Sequence, residues 1–327
     1  MARKGLLPVG LLAAVLAAAP SAATAAEGWK PTRTVELIIR TSPGGSNDIA
    51  GRTVHRVWSE LKLLPVPSAV VNRSGGEHSI AYTYVSQRGD PHTIGMMSTP
   101  MLVSPLGGRT QLTHHDVTPL AYLFTEPMIV LARAESPLKT GKEAVEALRK
   151  DPAALSVALT SNGHRISIGM PLAKAGVAIK SVRMPAFKGG GETVTAVMGG
   201  HADLVVTSVS TSVPHVPAGT MRGLAVSSNS RLGGPLPDVP TWRELGYQSS
   251  GSWKGVMGPK GMSADQIAYW EEILRKVAQS EALREYADKN QWLLEFKGAA
   301  DTRKWLDEEY ALLKVAMTEL GLARASQ

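Results

Sequence analysis

Residues 41–48 read Thr-Ser-Pro-Gly-Gly-Ser-Asn-Asp, after the apolar run Val35–Ile39 and before a helical pattern. Gly44 and Gly45 let the backbone approach a ligand without interference from a Cβ atom. Ser46 or Asn47 suits the N-cap of the helix that follows, whose opening amides are unpaired and carry partial positive charge. Those features fit a small anion. A strand–turn–helix cap that holds no ligand would use the same residues. Asp48 falls in the first turn, where a carboxylate complements the helix dipole but opposes an anionic ligand unless it is turned away. The stretch contains neither G-x-G-x-x-G nor G-K-[ST], so it is neither a dinucleotide fingerprint nor a P-loop.

Two further stretches have similar chemistry. Thr160–Gly169, TSNGHRISIG, follows another apolar run and offers Ser161, Asn162, Gly163 and Ser167. It also carries Arg165, a side chain able to hold a carboxylate through two parallel N–H bonds. The alternative is a solvated turn. Ala186–Thr193 places Lys188 before three consecutive glycines and a helical pattern, which is either an anion-cradling turn or a flexible connection. Enzyme signatures are poor. Ser136-Pro-Leu-Lys139 fits S-x-x-K but lies in a polar loop without an S-D-N partner, and no G-x-S-x-G elbow occurs. His114-His115 has no third ligand at metal spacing and no H-E-x-x-H, so both are expected to be solvated loop histidines. No metal and no cofactor are expected.

The elements that must position these loops alternate in type. Strand-like runs are Val35–Ile39, Ser68–Val71, Thr93–Met97, Met128–Leu131, Leu155–Ala158, Leu204–Val206 and Leu224–Val226. Ile49, Thr53, Val57, Trp58 and Leu61 share one helical face. Lys142–Lys150 and Thr193–Met198 mark two further helices, and Ser263–Ala287 and Asp301–Gly321 two long covering ones, the first N-capped by Ser263. Alternation of this kind implies an α/β fold of parallel βαβ units with binding loops at the carboxyl ends of strands. The Pro- and Gly-rich stretches Leu232–Thr241 and Met257–Ser263 read as surface connections.

Residues 1–26 combine Arg3 and Lys4, an apolar stretch from Leu6 to Pro20 and small residues around Ala23 and Ala25. That is the pattern of a secretory signal peptide removed near Ala25 or Ala26. Without it the formal charge falls from +7 to +5, and no basic cluster with interleaved aromatics suggests nucleic acid. The 327 residues contain no cysteine, so disulfides and thiol chemistry are excluded, and the chain is long enough to fold around an apolar core instead.

PGGSNDIAGR (Pro43–Arg52), VVNRSGG (Val70–Gly76), FKGGGETVTAVMGGHADL (Phe187–Leu204), AGTMRGLAVSSNSRLGGPLPDVPTWRELGY (Ala218–Tyr247) and SWKGVMGPKGMSADQI (Ser252–Ile267) together resemble the substrate-binding proteins of tripartite tricarboxylate transporters, the Bug family. The resemblance runs from Val35 to about Gly321. It implies a two-lobed, periplasmic-binding-protein-like Venus flytrap with crossing strands, residues 27–124 and 251–327 forming one lobe and 125–250 the other. It implies a non-catalytic periplasmic protein, expected to be monomeric, that captures a small organic carboxylate and delivers it to a tripartite tricarboxylate-type membrane permease. A ligand-sensing partner of a membrane receptor and an exported α/β hydrolase are the alternatives. By position, the first-lobe loop becomes Gly44, Gly45, Ser46, Asn47 and Asp48. The second-lobe loop becomes Ser161, Asn162, Gly163, Arg165 and Ser167, with Lys188, Asp203 and Ser208 near the cleft wall. Two departures stand out. The family's S-x-G-x-G-S is altered where Arg165 and Ile166 replace its second glycine and serine, and Phe187 replaces an aromatic hydroxyl. Both point to an acid with an apolar or aromatic body.

Overall fold

The computed structural model describes residues 28–76 and 79–324, with Met1, Ala2 and Gly5. The expected signal peptide and its cleavage point therefore lie outside the described residues almost entirely. Among the described residues the strands are β1 (Val35–Ile39), β2 (Ser68–Asn72), β3 (Thr93–Ser98), β4 (Val117–Glu126), β5 (Met128–Arg133), β6 (Val157–Ala158), β7 (Leu204–Ser208), β8 (Met221–Val226), β9 (Ser252–Pro259) and β10 (Leu293–Lys297). The helices are α1 (Ser46–Glu60), α2 (Ser79–Arg88), α3 (Pro100–Leu106), α4 (Gly141–Lys150), α5 (Asn162–Lys174), α6 (Gly190–Met198), α7 (Val209–Ser212), α8 (Ala264–Gln279), α9 (Glu281–Asn290) and α10 (Ala299–Glu319).

The strands form two sheets, of order β10-β4-β9-β3-β1-β2 and β6-β7-β5-β8. β1 runs parallel to β2 and β3, as the βαβ pattern predicts, but β9 is antiparallel to β3 and β4. β5 is antiparallel to both of its neighbours. The sheets are therefore mixed, because strands entering from the crossover run against those fed by helices. Side chains alternate across β1. Val35, Leu37 and Ile39 join α1, α8 and α9 on one face, and Ile38 joins α2, α3 and α10 on the other. The four-stranded sheet is likewise covered twice, by a core containing Val145, Leu172 and Trp242 and by one containing Val194, Val197 and Leu236.

Two segments cross between the sheets. β4 passes into β5 through Pro127, and the chain returns through Gly251 into β9, with Glu126 paired to Ser252. Gly251 lets the two crossing segments lie close: a Cβ atom there would stand 3.2 Å from the Glu126 carbonyl oxygen, which would have to give by a few tenths of an ångström. Several elements differ from their expected extent. Ser263–Ala287 is two helices rather than one, because Ser280 adopts extended backbone and caps α9 with its own hydroxyl. Met257–Pro259, read as loop, belongs to β9. Thr160–Gly169 is not a solvated turn, since α5 begins inside it and buries Ile166 and Ile168.

Candidate functional site

Five helices begin at one place between the sheets. Gly45, Thr99, Ser161, Gly189 and Ser208 occupy the N-cap positions of α1, α3, α5, α6 and α7, and all five line one cleft. None of these caps is closed by its side chain. Four helix starts away from the cleft are closed: Thr140, Ser263 and Ser280 cap α4, α8 and α9, and Glu271 accepts the Ala299 amide at the start of α10. The opening turns of α1, α3, α5 and α6 thus keep the partial positive charge of their amides directed at one small volume, whereas the first amide of α7, that of Val209, is given to the Pro127 carbonyl oxygen at 3.0 Å. Three side-chain donors in the same lining, Thr41 Oγ1, Asn47 Nδ2 and Thr211 Oγ1, are buried and make no hydrogen bond within the protein. Buried polar groups are normally paired, so this many unpaired donors in one lining marks a place for an acceptor.

Behind the seat, the crossing strands bury a charged cluster. Lys254 Nζ on β9 lies 2.5 Å from Glu126 Oε2 at the end of β4, and both side chains are inaccessible to solvent. Ser46 donates to the same carboxylate at 2.5 Å, and Ser210 donates to its other oxygen. Burial pushes the Glu126 carboxyl up, but Lys254 and the two hydroxyls outweigh it and hold it below the usual range. Arg40, which follows β1, donates from Nε to Ser98 Oγ at 2.9 Å and is also buried. His164 on α5 is pushed down to about 4, first by burial and then by Arg40 and Lys254. It is therefore neutral at pH 7. The Thr160 amide donates to its Nδ1 at 3.3 Å, which fixes the proton on Nε2.

The cleft has two chambers. The inner seat, floored by the helix starts, has about 30 Å³ of free volume. That is room for roughly two water-sized groups, the size of one carboxylate. The outer chamber is about 550 Å³ and shares Arg40, Thr160, Ser161 and Lys188 with the seat. Its described lining adds Arg109, Arg165, Leu159 and Phe187 and contains no carboxylate side chain.

A family model described as "Tripartite tricarboxylate transporter family receptor" matches residues 56–322. The chain belongs to this receptor family. Among its relatives, Protein BugT of Bordetella pertussis is 25% identical over 279 residues, covering 83% of this chain and 84% of BugT. A solved structure described as an R. palustris protein with adipate superposes with TM-score 0.81 at 21% identity, covering 90% of this chain and 99% of that one. MatC from Rhodopseudomonas palustris with bound malate gives TM-score 0.76 at 22% identity, covering 88% and 99%. Family and fold are those of two-lobed substrate-binding proteins, not enzymes. Among the described residues no helix is long and apolar enough to cross a membrane.

The receptor brings most of the residues singled out in its sequence to this cleft. Gly45, Ser46, Asn47, Ser161, Gly163, Lys188 and Ser208 line the seat, and Asn162 and Arg165 line the outer chamber. Four do not reach either lining. Gly44, at φ +79°, makes the left-handed turn that directs its amide to Asp48 at 2.9 Å. Asp48 is turned away from the anion seat, because its carboxylate is held by that amide, Arg52 and Asn72. The Ser167 hydroxyl is paired with Ser249. Asp203 binds the Ser156 amide and hydroxyl, each at 2.7 Å, at the end of β7 opposite Ser208. Sequence reasoning passed over Arg40, Glu126, His164, Ser252 and Lys254. The available signals were local: a cation directly after β1, a Glu-Pro joining two apolar strands, and a lysine inside an apolar run.

Proposed function

We propose that this receptor works in the periplasm, seats one carboxylate of a small organic acid in the inner chamber, and presents the loaded form to a tripartite tricarboxylate-type permease. The observation that carries this reading is the convergence of five helix N-termini without side-chain caps on a seat of carboxylate size. A carboxylate leaving water loses its hydration and must be met by other donors, or burial costs several kcal/mol. First-turn amides, the Asn47 amide group, the threonine hydroxyls and Nε2–H of neutral His164 are donors of the required kind.

The remainder of the acid extends into the outer chamber. There Phe187 and Leu159 supply apolar surface, while Arg109, Arg165 and Lys188 favour a second negative group. The structures with adipate and malate support an acid with two carboxylates. Phe187 and the larger volume favour a longer or aromatic body over a short hydroxylated one. We assign the moving lobes to residues 27–124 with 251–327 and to 125–250, hinged where β4 and β9 cross. Closure brings the α1 and α5 walls together, and ligand favours that state by its greater affinity for it.

A thermal-shift panel of aliphatic and aromatic mono- and dicarboxylates tests the reading. At a concentration about 100 times Kd, the matching acid should stabilise the chain by about 2.7 kcal/mol, a rise of several degrees. Mass spectrometry of acid that co-purifies in the cleft narrows the panel. No shift with any member at millimolar concentration would defeat the proposal.

A further inference from the structure

The carboxylate that follows His114 and His115 in sequence, Asp116, is taken up by Thr113 and Lys260, and the fold supplies another from 193 residues away. α10 carries Asp307 over the 3-10 turn His114–Asp116. His114 Nε2 lies 2.9 Å from Asp307 Oδ1, and His115 Nε2 lies 3.5 Å from the same oxygen. The donor atoms of all three residues fall within 4.8 Å of one another. Ligands of a tetrahedral ion with bonds near 2.0–2.1 Å stand roughly 3.3 Å apart. The two histidine–carboxylate distances bracket that value. We propose that His114, His115 and Asp307 bind a divalent transition-metal ion of the zinc class, stapling α10 to the turn before β4.

The frame around the trio is rigid before any ion arrives. Thr113 and Asp116 close the turn with a reciprocal capping box, and the His114 ring rests 5.0 Å from that of Tyr310. His114 is therefore not the solvated loop residue its sequence context suggests: its side chain is 2% exposed, against 63% for His115 and 47% for Asp307. One donor comes from the core and two from the surface, which leaves an ion open to solvent and a fourth position for water. Two imidazoles and one carboxylate suit Zn²⁺, Ni²⁺ or Cu²⁺; Ca²⁺ and Mg²⁺ require oxygen-rich shells. Two features hold the affinity down. Arg303 donates to the His114 and Val117 carbonyl oxygens at 2.6 Å each, so its charge stays close to the ion. His114 Nδ1 is buried without a hydrogen-bond partner, so the ring lacks the second-shell support usual for metal-bound histidines.

Titration of the full mature chain, free of any histidine tag, with Zn²⁺ by calorimetry and with Co²⁺ by visible absorption should show one saturable equivalent. His115→Ala and Asp307→Asn, both at surface positions that fold without the ion, should each weaken binding at least tenfold. Zn²⁺ should raise the Tm of the parent and not of either variant. A parent that takes up no stoichiometric metal, or variants that bind as tightly as the parent, would overturn the site and leave an ordinary Asp–His pair.

Discussion

His164 is the residue with the most distinctive titration in the cleft. In the unfolded chain a histidine titrates near 6.5, while here burial, Arg40 and Lys254 push it down to about 4. Between those values the unfolded chain takes up a proton and the folded chain does not, so stability falls as pH drops through that window. At about 1.36 kcal/mol per pH unit, the loss from this residue is roughly 3 kcal/mol by pH 4. Glu126 adds to it at lower pH: its folded value is depressed, so its contribution is complete above the unfolded value and is lost as the carboxylate protonates. Urea unfolding between pH 7 and pH 4 should therefore show His164→Gln with a shallower fall than the parent. Parallel slopes would mean that His164 charges freely and is not the neutral donor described here. Nothing in TSNGHRISIG identifies this residue as special. Its shift comes first from burial and then from Arg40 and Lys254, more than eighty residues away on either side, and such surroundings have no local signature.

The helix starts were more legible than the side chains that back them. Glycine before a helical pattern marks both Gly44-Gly45 and the run after Lys188, because a backbone approach to a ligand demands the smallest residue. α5 was missed because it buries residues on several sides, contacting its own sheet through Ile168 and Leu172 and α10 through Gly169. A helix packed all round has no amphipathic stripe to find. β9 was obscured by Lys254 and two glycines in its eight residues. If the open helix starts form the anion seat, closing one with a charged cap should separate folding from binding. Gly189 is suitable, since its backbone is extended and no atom lies within 4 Å of a Cβ placed there. Asp is a better N-cap than Gly by a few tenths of a kcal/mol, so Gly189→Asp should fold as stably as the parent. It should also bind the acid at least tenfold more weakly, because the new carboxylate takes the α6 amides and repels the ligand. Gly189→Ser, capped but uncharged, should fall between the two in calorimetry. Equal affinity in all three would remove α6 from the seat.

At the scale of the whole molecule, the proposed closure can be tested at the crossing strands. Glu126 stands at the crossover and accepts hydrogen bonds from both sides, from Ser46 on α1 and from Ser210 on α7. Ser46 also lines the seat, so a loss of affinity on its removal would not separate contact from closure. Ser210 is outside both chamber linings, and its hydroxyl donates to Glu126. Ser210→Ala leaves Glu126 its bonds to Lys254 and Ser46 and removes one tie to the second sheet. A hydrogen bond to a charged group contributes about 1.5–3 kcal/mol. If that tie favours the closed arrangement, its loss shrinks the binding-competent fraction, and apparent affinity falls in the same proportion. Calorimetry should then show several-fold weaker binding for Ser210→Ala. Small-angle scattering of the ligand-free variant should give a larger radius of gyration than the parent, and saturating acid should restore the parent value. A variant that unfolds more easily yet binds with parental affinity and shape would show that the Glu126 cluster holds the crossover together without taking part in closure.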